Sequence, residues 1–314
     1  MTPFRIAIVG AGIAGLACAR DLLEAGLAPV IFDKGRGIGG RLATRRAEDG
    51  LQFDHGAPCV MATDAGFAEV LRQAEVDGAA APCPTETGGF VGLPGMSGLA
   101  RHLGRGVEIR TGVAVGAVTG DGDGWRVICG DRSQVFDRVI LTLPAPQILR
   151  LLGTDHSLTA DVGADLDAIL DVVRIDPCLT LMAAFAGYSD AGPCPPDLRQ
   201  ITLDSAKPGR DRRLQAWVAH ATPEFSRRHL EREMTEVAGL MLPMLCASIG
   251  RAPAEAVHAV AHRWRYAQVD RALGRPFVTG PSGGLYLGGD WCLGPMAEHA
   301  WTSGRAIAAD ILRN

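Results

Sequence analysis

The chain has 314 residues, of which 47% are apolar and 21% charged, with a formal net charge of −4. That length accommodates two joined domains around a sizeable core, and the composition is that of an ordinary globular protein. The slight negative charge offers no electrostatic case for binding nucleic acid or an anionic membrane.

The run Phe4-Arg5-Ile6-Ala7-Ile8-Val9 is apolar and β-branched, and it predicts a strand. It breaks at Gly10-Ala11-Gly12-Ile13-Ala14-Gly15, then becomes helical in period through Leu16, Ala19, Leu22 and Leu23, with Gly26 as the stop. A second strand over residues 29–32 ends on Asp33. Strand, G-x-G-x-x-G, helix, strand and acid stand in the spacing a dinucleotide needs. Gly10 permits the tight turn, Gly12 lets the backbone approach a pyrophosphate, and Gly15 lets the helix sit close to the strand. The N–H groups opening the helix face the phosphates, and Asp33 is placed to accept from ribose hydroxyls. The loop Lys34-Gly35-Arg36-Gly37-Ile38-Gly39-Gly40-Arg41 follows. Gly39 and Gly40 can form an anion-binding nest, and Arg41 can pair with a phosphate bidentately. A second phosphate clamp suits a coenzyme that stays through turnover; the plainer reading is a solvated glycine-rich loop.

Farther along, a helix is expected at 64–77 and a strand at 107–118. Residues 125–129 would be its hairpin partner across Asp121-Gly122-Asp123-Gly124. Residues 137–143 read as a buried strand stopped by Pro144 and Pro146. Helices are expected at 158–172 and 226–245. Strand-like runs at 179–185, 214–221 and 256–266 have no helix between each pair, which suggests an antiparallel sheet. Residues 190–196 and 206–213 read as surface loops. Near the end, Gly284-Leu285-Tyr286-Leu287-Gly288-Gly289-Asp290 is another buried-strand pattern, followed by Glu298 and a helical run over 301–312. Both termini therefore belong to one discontinuous nucleotide domain (1–58, 92–150 and 270–314), with a substrate domain inserted (59–91 and 151–269).

The eight cysteines are scattered and none forms C-x-x-C, so neither a metal site nor a redox dithiol is expected. The apolar stretch 237–249 is broken by Pro243 and falls short of the ~20 residues of a membrane span. The first strand starts almost at once, leaving no room for a targeting segment, so a soluble, reducing, cytoplasmic setting is expected.

The pattern from Gly10 through Gly26 to Asp33 and Gly39-Gly40-Arg41 resembles FAD-containing enzymes of the amine-oxidase and glutathione-reductase type, with Asp33 where that pattern more often shows Glu. Four further segments narrow the resemblance: Phe53-Asp54-His55-Gly56-Ala57, Val91-Gly92-Leu93-Pro94-Gly95-Met96-Ser97, His262-Arg263-Trp264-Arg265-Tyr266-Ala267-Gln268-Val269, and Gly288-Gly289-Asp290-Trp291-Cys292-Leu293-Gly294-Pro295 leading into Glu298-His299-Ala300-Trp301. Together they resemble the renalase family, its bacterial members in particular. The resemblance implies an α/β fold: a Rossmann-like FAD-binding domain with an inserted, mostly antiparallel β-sheet and helices. It implies non-covalent FAD. It also implies oxidation of the 2- and 6-dihydro isomers of NAD(P)H, with release of NAD(P)⁺ and reduction of O2 to hydrogen peroxide. A dihydropyridine expels hydride because an aromatic pyridinium results, so no strong base is needed and the protein's work is positioning.

On that resemblance, the cofactor is expected to meet Gly10 to Gly15, Asp33, Lys34, Gly39, Gly40, Arg41, His55, Gly56, Ala57, Gly289, Asp290 and Glu298. The backbone of Ala300 and Trp301 would face the flavin pyrimidine edge, and Val115 the adenine. Trp264, Arg265, Tyr266 and His220 are the candidates for the substrate pocket. Strand alternation would put His262, Trp264 and Tyr266 on one face and Arg263 and Arg265 on the other, with Trp217 opposite His220. Met296 and His299 depart from the family at the flavin-facing loop, and Cys292 reads as packing. Two other readings stay open: a flavin amine oxidase or desaturase, and a flavin-binding protein without turnover.

Overall fold

The computed structural model of the chain describes residues 4–120, 124–153, 171–280 and 283–314. Its centre is a six-stranded sheet in the order β16 (Phe277–Thr279), β17 (Leu285–Gly288), β11 (Arg138–Leu141), β1 (Ile6–Val9), β2 (Val30–Asp33) and β7 (Glu108–Thr111). All neighbours are parallel except the β16–β17 edge pair. Strand β1 is buried along its whole length because successive side chains enter different cores. Ile6 and Ile8 pack with helix α1 (Ile13–Glu24), α2 (Ala65–Val76), α3 (Ser97–Leu103) and α7 (Ala297–Ile311). Ala7 and Val9 face a three-stranded meander of β8 (Ala117–Gly120), β9 (Trp125–Cys129) and β10 (Arg132–Phe136), together with α4 (Ala145–Leu152). A sheet covered on both faces explains why these strands read as continuous apolar runs.

Two short hairpins flank this unit: β3 (Thr44–Arg46) with β4 (Gln52–Asp54), and β5 (Ala80–Pro82) with β6 (Phe90–Gly92). Val60, Phe67, Leu71, Ala80 and Val91 share the first core with α1 and Trp301, so residues 60–91 pack on the nucleotide unit. The remaining sheet is antiparallel and four-stranded, in the order β13 (Leu198–Leu203), β14 (Gln215–Ala221), β12 (Arg174–Phe185) and β15 (Ala256–Arg271). One face, through Leu179, Leu181, Trp217 and Ala219, packs on helices α5 (Pro223–Arg228) and α6 (Met234–Ile249). The other face, through Met182, Ala184, Ala216 and Val218, receives Phe53 from β4.

Three expectations need correction. The strand at 107–118 is two strands in different sheets, β7 and β8; the positive φ of Gly112, +70°, turns the chain between them. The helix at 226–245 is broken between Arg228 and Met234. Thr222 caps the first piece, while the polar run Arg227-Arg228-His229-Leu230-Glu231-Arg232-Glu233 has no apolar stripe to hold a helix against the core. Residues 206–213 are not simply a surface loop, because Lys207 and Arg210 are buried. The helix expected at 158–172 lies outside the described residues apart from its last two positions. Among the described residues no helix is long and apolar enough to cross a membrane.

Candidate active site

The first glycine turn is built as its spacing requires. Gly10 has φ +111° and donates its N–H to the Phe32 carbonyl at 2.9 Å. A Cβ on Gly15 would lie 2.1 Å from the Gly10 oxygen, so only glycine lets α1 sit this close to β1. Gly12 is different. A Cβ there would meet no atom of the described residues within 4 Å, so none of them demands glycine at the mouth of α1. A nucleotide's pyrophosphate against the N–H groups that open the helix supplies the missing reason, and the residues fit a dinucleotide.

Asp33 sits at the end of β2. Its carboxylate accepts from Ala11 N–H (2.7 Å) and Gly35 N–H (2.6 Å), locking the two glycine loops together. Each oxygen keeps lone-pair capacity for a ribose hydroxyl. Gly39 (φ +110°) and Gly40 (φ +55°) form the second turn, docked on the first by Gly39 N–H to the Ala11 carbonyl at 2.8 Å. Lys34 is exposed, and Val115 is half-buried against the core that carries Phe32.

Arg41 joins the two ends of the chain. Its guanidinium makes a bidentate pair with Asp290, at 2.6 and 2.7 Å, and donates to the Ala267 carbonyl at 3.0 Å. Burial works against its charge, but neighbouring Asp290 outweighs burial and holds the Arg41 pKa above its ordinary value. The Arg41 carbonyl accepts from Ala57 N–H (2.8 Å), and a Cβ on Gly56 would lie 2.0 Å from that same oxygen. His55-Gly56-Ala57 therefore braces the Arg41 loop, and glycine at position 56 is dictated by close approach.

At the C-terminal end Gly289 has φ +145° and donates to Ser303 Oγ at 2.9 Å. A Cβ on Gly304 would lie 2.1 Å from the Ala14 oxygen, which sets the tight contact of α7 with α1. Ala300 and Trp301 are buried in the first turns of α7; the Trp301 ring leans on Phe67 with centroids 5.4 Å apart. Glu298 accepts from Thr63 N–H (2.7 Å), Asp64 N–H (3.1 Å) and the Thr63 hydroxyl (2.6 Å). Burial pushes its carboxyl up, but those donors prevail and hold it below its ordinary value. Glu298 thus ties α7 to the start of α2. The departures at Met296 and His299 form a local cap, with His299 Nδ1 accepting the Met296 N–H at 3.1 Å. Cys292 is fully buried, and burial pushes its thiol up to about 12, so it is a packed thiol.

The antiparallel sheet contributes a polar row. His262, Thr180, His220 and Gln200 lie side by side on β15, β12, β14 and β13. Trp217 packs on the opposite face with α6. The His262 and Trp264 rings pack on His55, with centroids 4.7 and 5.1 Å away, and 4.5 Å from each other. Trp264 Nε1 donates to the His55 carbonyl at 2.8 Å. Beyond Trp264 the pairing is irregular: a bulge places Gln268 opposite Asp176 while Trp264 stays opposite Cys178. The structure brings Trp264 and His220 to the His55 segment, while Arg265, on the opposite face as alternation requires, pairs with Glu231 at 2.6 and 2.9 Å near the surface. Tyr266 accepts from Arg150 at 2.8 Å.

These imidazoles are kept neutral. Burial lowers His55 and His220 to about 4, with His262 adding to the effect at His55. His262 is lowered by burial and by nearby Arg45. The backbones of His55 and Gly56 face His220 and only partly offset its burial, and among the described residues His55 Nδ1 is buried without a partner. A histidine whose folded pKa is depressed leaves the unfolded chain binding more protons between that value and 6.5. Stability is therefore full above pH 6.5 and falls as pH drops toward 4. The expected loss is on the order of 2–3 kcal/mol per imidazole. Urea unfolding between pH 4.5 and 7 checks it: His220→Gln should flatten the slope, and an unchanged slope refutes the assignment.

One buried cluster has no counterpart in the sequence reading. Asp54 and Asp204 share Lys207 and Arg210, and all four side chains are at most 3% exposed. Lys207 lies 3.2 Å from Asp54 and 2.6 Å from Asp204, and Arg210 lies 2.5 Å from Asp54. Asp54 also accepts from Thr44 Oγ1 (2.7 Å) and Met96 N–H (2.9 Å). Burial pushes Asp54 up, but Lys207 and Arg210 overcome it and hold the carboxyl below its ordinary value; Asp204 is raised by burial and by Asp54's charge. The group pins the Asp54-His55 segment to the antiparallel sheet. A hint was available: Lys207 is one of only two lysines, Lys34 being the other, against many arginines.

Two family profiles match: the NAD(P)-binding Rossmann-like domain over residues 8–74 and the flavin containing amine oxidoreductase over residues 83–164. The chain is 27% identical to renalase of Mus musculus over 301 residues, covering 86% of each protein. It is 42% identical to a 15-cis-phytoene desaturase of Synechococcus elongatus over 52 residues, covering 17% of this chain and 11% of that one. Among solved structures, a putative protoporphyrinogen oxidase from Exiguobacterium sp. 255-15 superposes with a TM-score of 0.76 at 15% identity, covering 100% of both chains. A putrescine oxidase bound to putrescine superposes with a TM-score of 0.72 at 13% identity, covering 99% of both. At these identities the likeness to solved structures is one of fold.

Proposed function

We propose, from the premise that this chain is a renalase-like FAD oxidoreductase of the flavin amine oxidase family, that its substrates are isomeric 2- and 6-dihydro-NAD(P). In this reading hydride passes to the flavin, NAD(P)⁺ leaves, and O2 is reduced to hydrogen peroxide. The FAD supplies the hydride acceptor. The chain's own residues hold and orient: Gly10 to Gly15 and Asp33 for the dinucleotide, Arg41 and Asp290 at the closure between the two chain ends, and His55, His262, Trp264 and His220 on the side facing the antiparallel sheet. In this reading 1–58, 92–150 and 270–314 make up the FAD-binding domain and 151–269 the substrate domain; 59–91, expected with the latter from the sequence, shares the first core with α1 through its apolar residues.

The observation that carries the substrate class is the neutrality of that ring cluster. Asp54 is the carboxylate that acts on His55, and it is spent on Lys207 and Arg210. An amine arrives as an ammonium ion and has to lose a proton. An imidazole with a pKa of about 4 is a poor base for that at neutral pH. A dihydropyridine is neutral at the ring and needs no base, so flat aromatic surfaces and neutral hydrogen-bonding groups suffice. The desaturase likeness, by contrast, spans 17% of the chain. The eight cysteines are free thiols, which suits the reducing cytoplasmic setting we assign.

Anaerobic mixing of the holoenzyme with 6-dihydro-NAD, 2-dihydro-NAD and a panel of primary amines tests this reading. Rapid loss of the flavin's visible absorbance is expected with a dihydro isomer and not with amines. Bleaching by amines alone would move the enzyme to the amine oxidases, and bleaching by none would leave a flavin-binding protein without this activity.

A further inference from the structure

We infer that Trp264 is a positioning residue for the cofactor clamp: through its indole N–H and the bulge that follows it, strand β15 grips the Arg41 loop at two points and so sets how firmly FAD is retained. The inference rests on FAD as the cofactor and does not depend on which substrate is oxidised.

The contacts form a closed circuit. On one side, Trp264 Nε1 donates to the His55 carbonyl at 2.8 Å, and the Trp264 ring stacks on the His55 ring at 30° with centroids 5.1 Å apart. His55 leads into Gly56 and Ala57, whose backbone lies against the Arg41 carbonyl, with Ala57 N–H donating at 2.8 Å. On the other side, Ala267, three residues beyond Trp264, turns its carbonyl to the Arg41 guanidinium at 3.0 Å. The irregular pairing between Trp264 and Gln268 interrupts the ladder where that carbonyl is offered. The same guanidinium holds Asp290 bidentately. Arg41 is thus held by its main chain through residues 55–57 and by its side chain through β15 and Asp290.

The hydrogen bond is worth having because its acceptor is shut in. The segment is packed under Trp264 and His262, with His220 against the His55 and Gly56 backbones, so water does not readily replace the indole donor. Loosening residues 55–57 frees the Arg41 carbonyl, and with it the loop that closes over the first glycine turn. Trp217, on the opposite face of the same sheet, is the natural control, because its buried Nε1 has no hydrogen-bond partner among the described residues.

The test replaces each tryptophan by β-(3-benzothienyl)alanine, which keeps the bicyclic shape and exchanges N–H for sulfur. FAD release from the holoenzyme is followed by the rise of flavin fluorescence after dilution, and exchange of the Ala57 amide by hydrogen–deuterium exchange. Substitution at Trp264 should speed FAD release roughly five- to tenfold and raise exchange at Ala57. Substitution at Trp217 should change neither. Wild-type release from the protein altered at Trp264 overturns the inference, and so does equal acceleration by both replacements, which would indicate general loosening of the sheet. Failure of the dihydronicotinamide reading leaves this result untouched, because no turnover is measured.

Discussion

Gly12→Ala should leave the protein folded and strip it of FAD, whereas Gly15→Ala should damage the fold itself. The two glycines are three residues apart in one motif, and their surroundings differ completely. At Gly12 an added methyl meets no atom of the described residues within 4 Å, and the backbone there (φ −78°, ψ 178°) is one alanine adopts freely. Unfolding free energy should change by no more than about 0.5 kcal/mol. The methyl would occupy the open space where we propose the pyrophosphate lies. Overpacking of that kind costs roughly 1–3 kcal/mol, or about 10- to 100-fold in FAD affinity. At Gly15 the methyl would sit 2.1 Å from the Gly10 oxygen, 2.9 Å from Thr142 Oγ1 and 3.2 Å from Ile8. Backbone cannot yield as a flexible side chain does, so α1 must shift off β1 at a cost of roughly 3 kcal/mol or more. Flavin-fluorescence quenching and urea unfolding of both variants decide the matter. Wild-type FAD affinity in the Gly12→Ala protein would remove the pyrophosphate from the mouth of α1.

Asp54→Asn should cost roughly 3–5 kcal/mol of stability, on the order of 10 °C in melting temperature. The amide NH2 replaces the oxygen that accepts from Lys207 and Arg210, but the asparagine oxygen can still accept from Thr44 Oγ1 and Met96 N–H, so shape and two of the four side-chain hydrogen bonds survive. The charge does not. Lys207 and Arg210 would be left with Asp204 as their sole carboxylate, in a place where all the side chains are buried. An uncompensated buried charge is costly, even though an intact buried ion pair need not be a net gain. Adding Lys207→Met to Asp54→Asn restores one cation to one carboxylate and should recover part of the loss. A melting temperature within 2 °C of wild type for Asp54→Asn alone would show that the cluster is not charged as described.

Much of the cofactor half could be read from the letters. β1, the glycine turn, α1 and β2 are contiguous, and each is marked locally: a β-branched run, obligatory glycines, a helical period and a terminal acid. The antiparallel sheet was visible as three runs without intervening helices, while β13 was missed because Leu198–Leu203 follows a proline-rich loop and is short. The hairpins around Thr44–Arg46 and Phe90–Gly92 escaped notice for a related reason. Three residues carry too little pattern to show a period of two.

In the site, the faces of Trp217 and His220 followed from alternation, since β14 is regular. Arg265 follows alternation as well: with Arg263 it reaches Glu231 on the face away from Trp264, so a place for it beside the substrate rested on the family resemblance alone. The irregular pairing between Trp264 and Gln268 is what local letters do not show. The roles of Arg41 and Asp54 lay further out of reach. Arg41 meets Asp290 across 249 positions, and Asp54 meets Arg210 across 156.

Local letters encode backbone preference, glycine need and which way a side chain faces, because those depend on neighbours a few positions away. They are why this chain declares a nucleotide turn at one end and a matching strand, acid and helix at the other. Which carboxylate neutralises which cation, and which carbonyl a guanidinium finds, depends on distances set only once both sheets have packed. Folding therefore decided that Arg41 closes on Asp290, that Asp54 is spent on Lys207 and Arg210, and that the histidines beside Trp264 stand neutral.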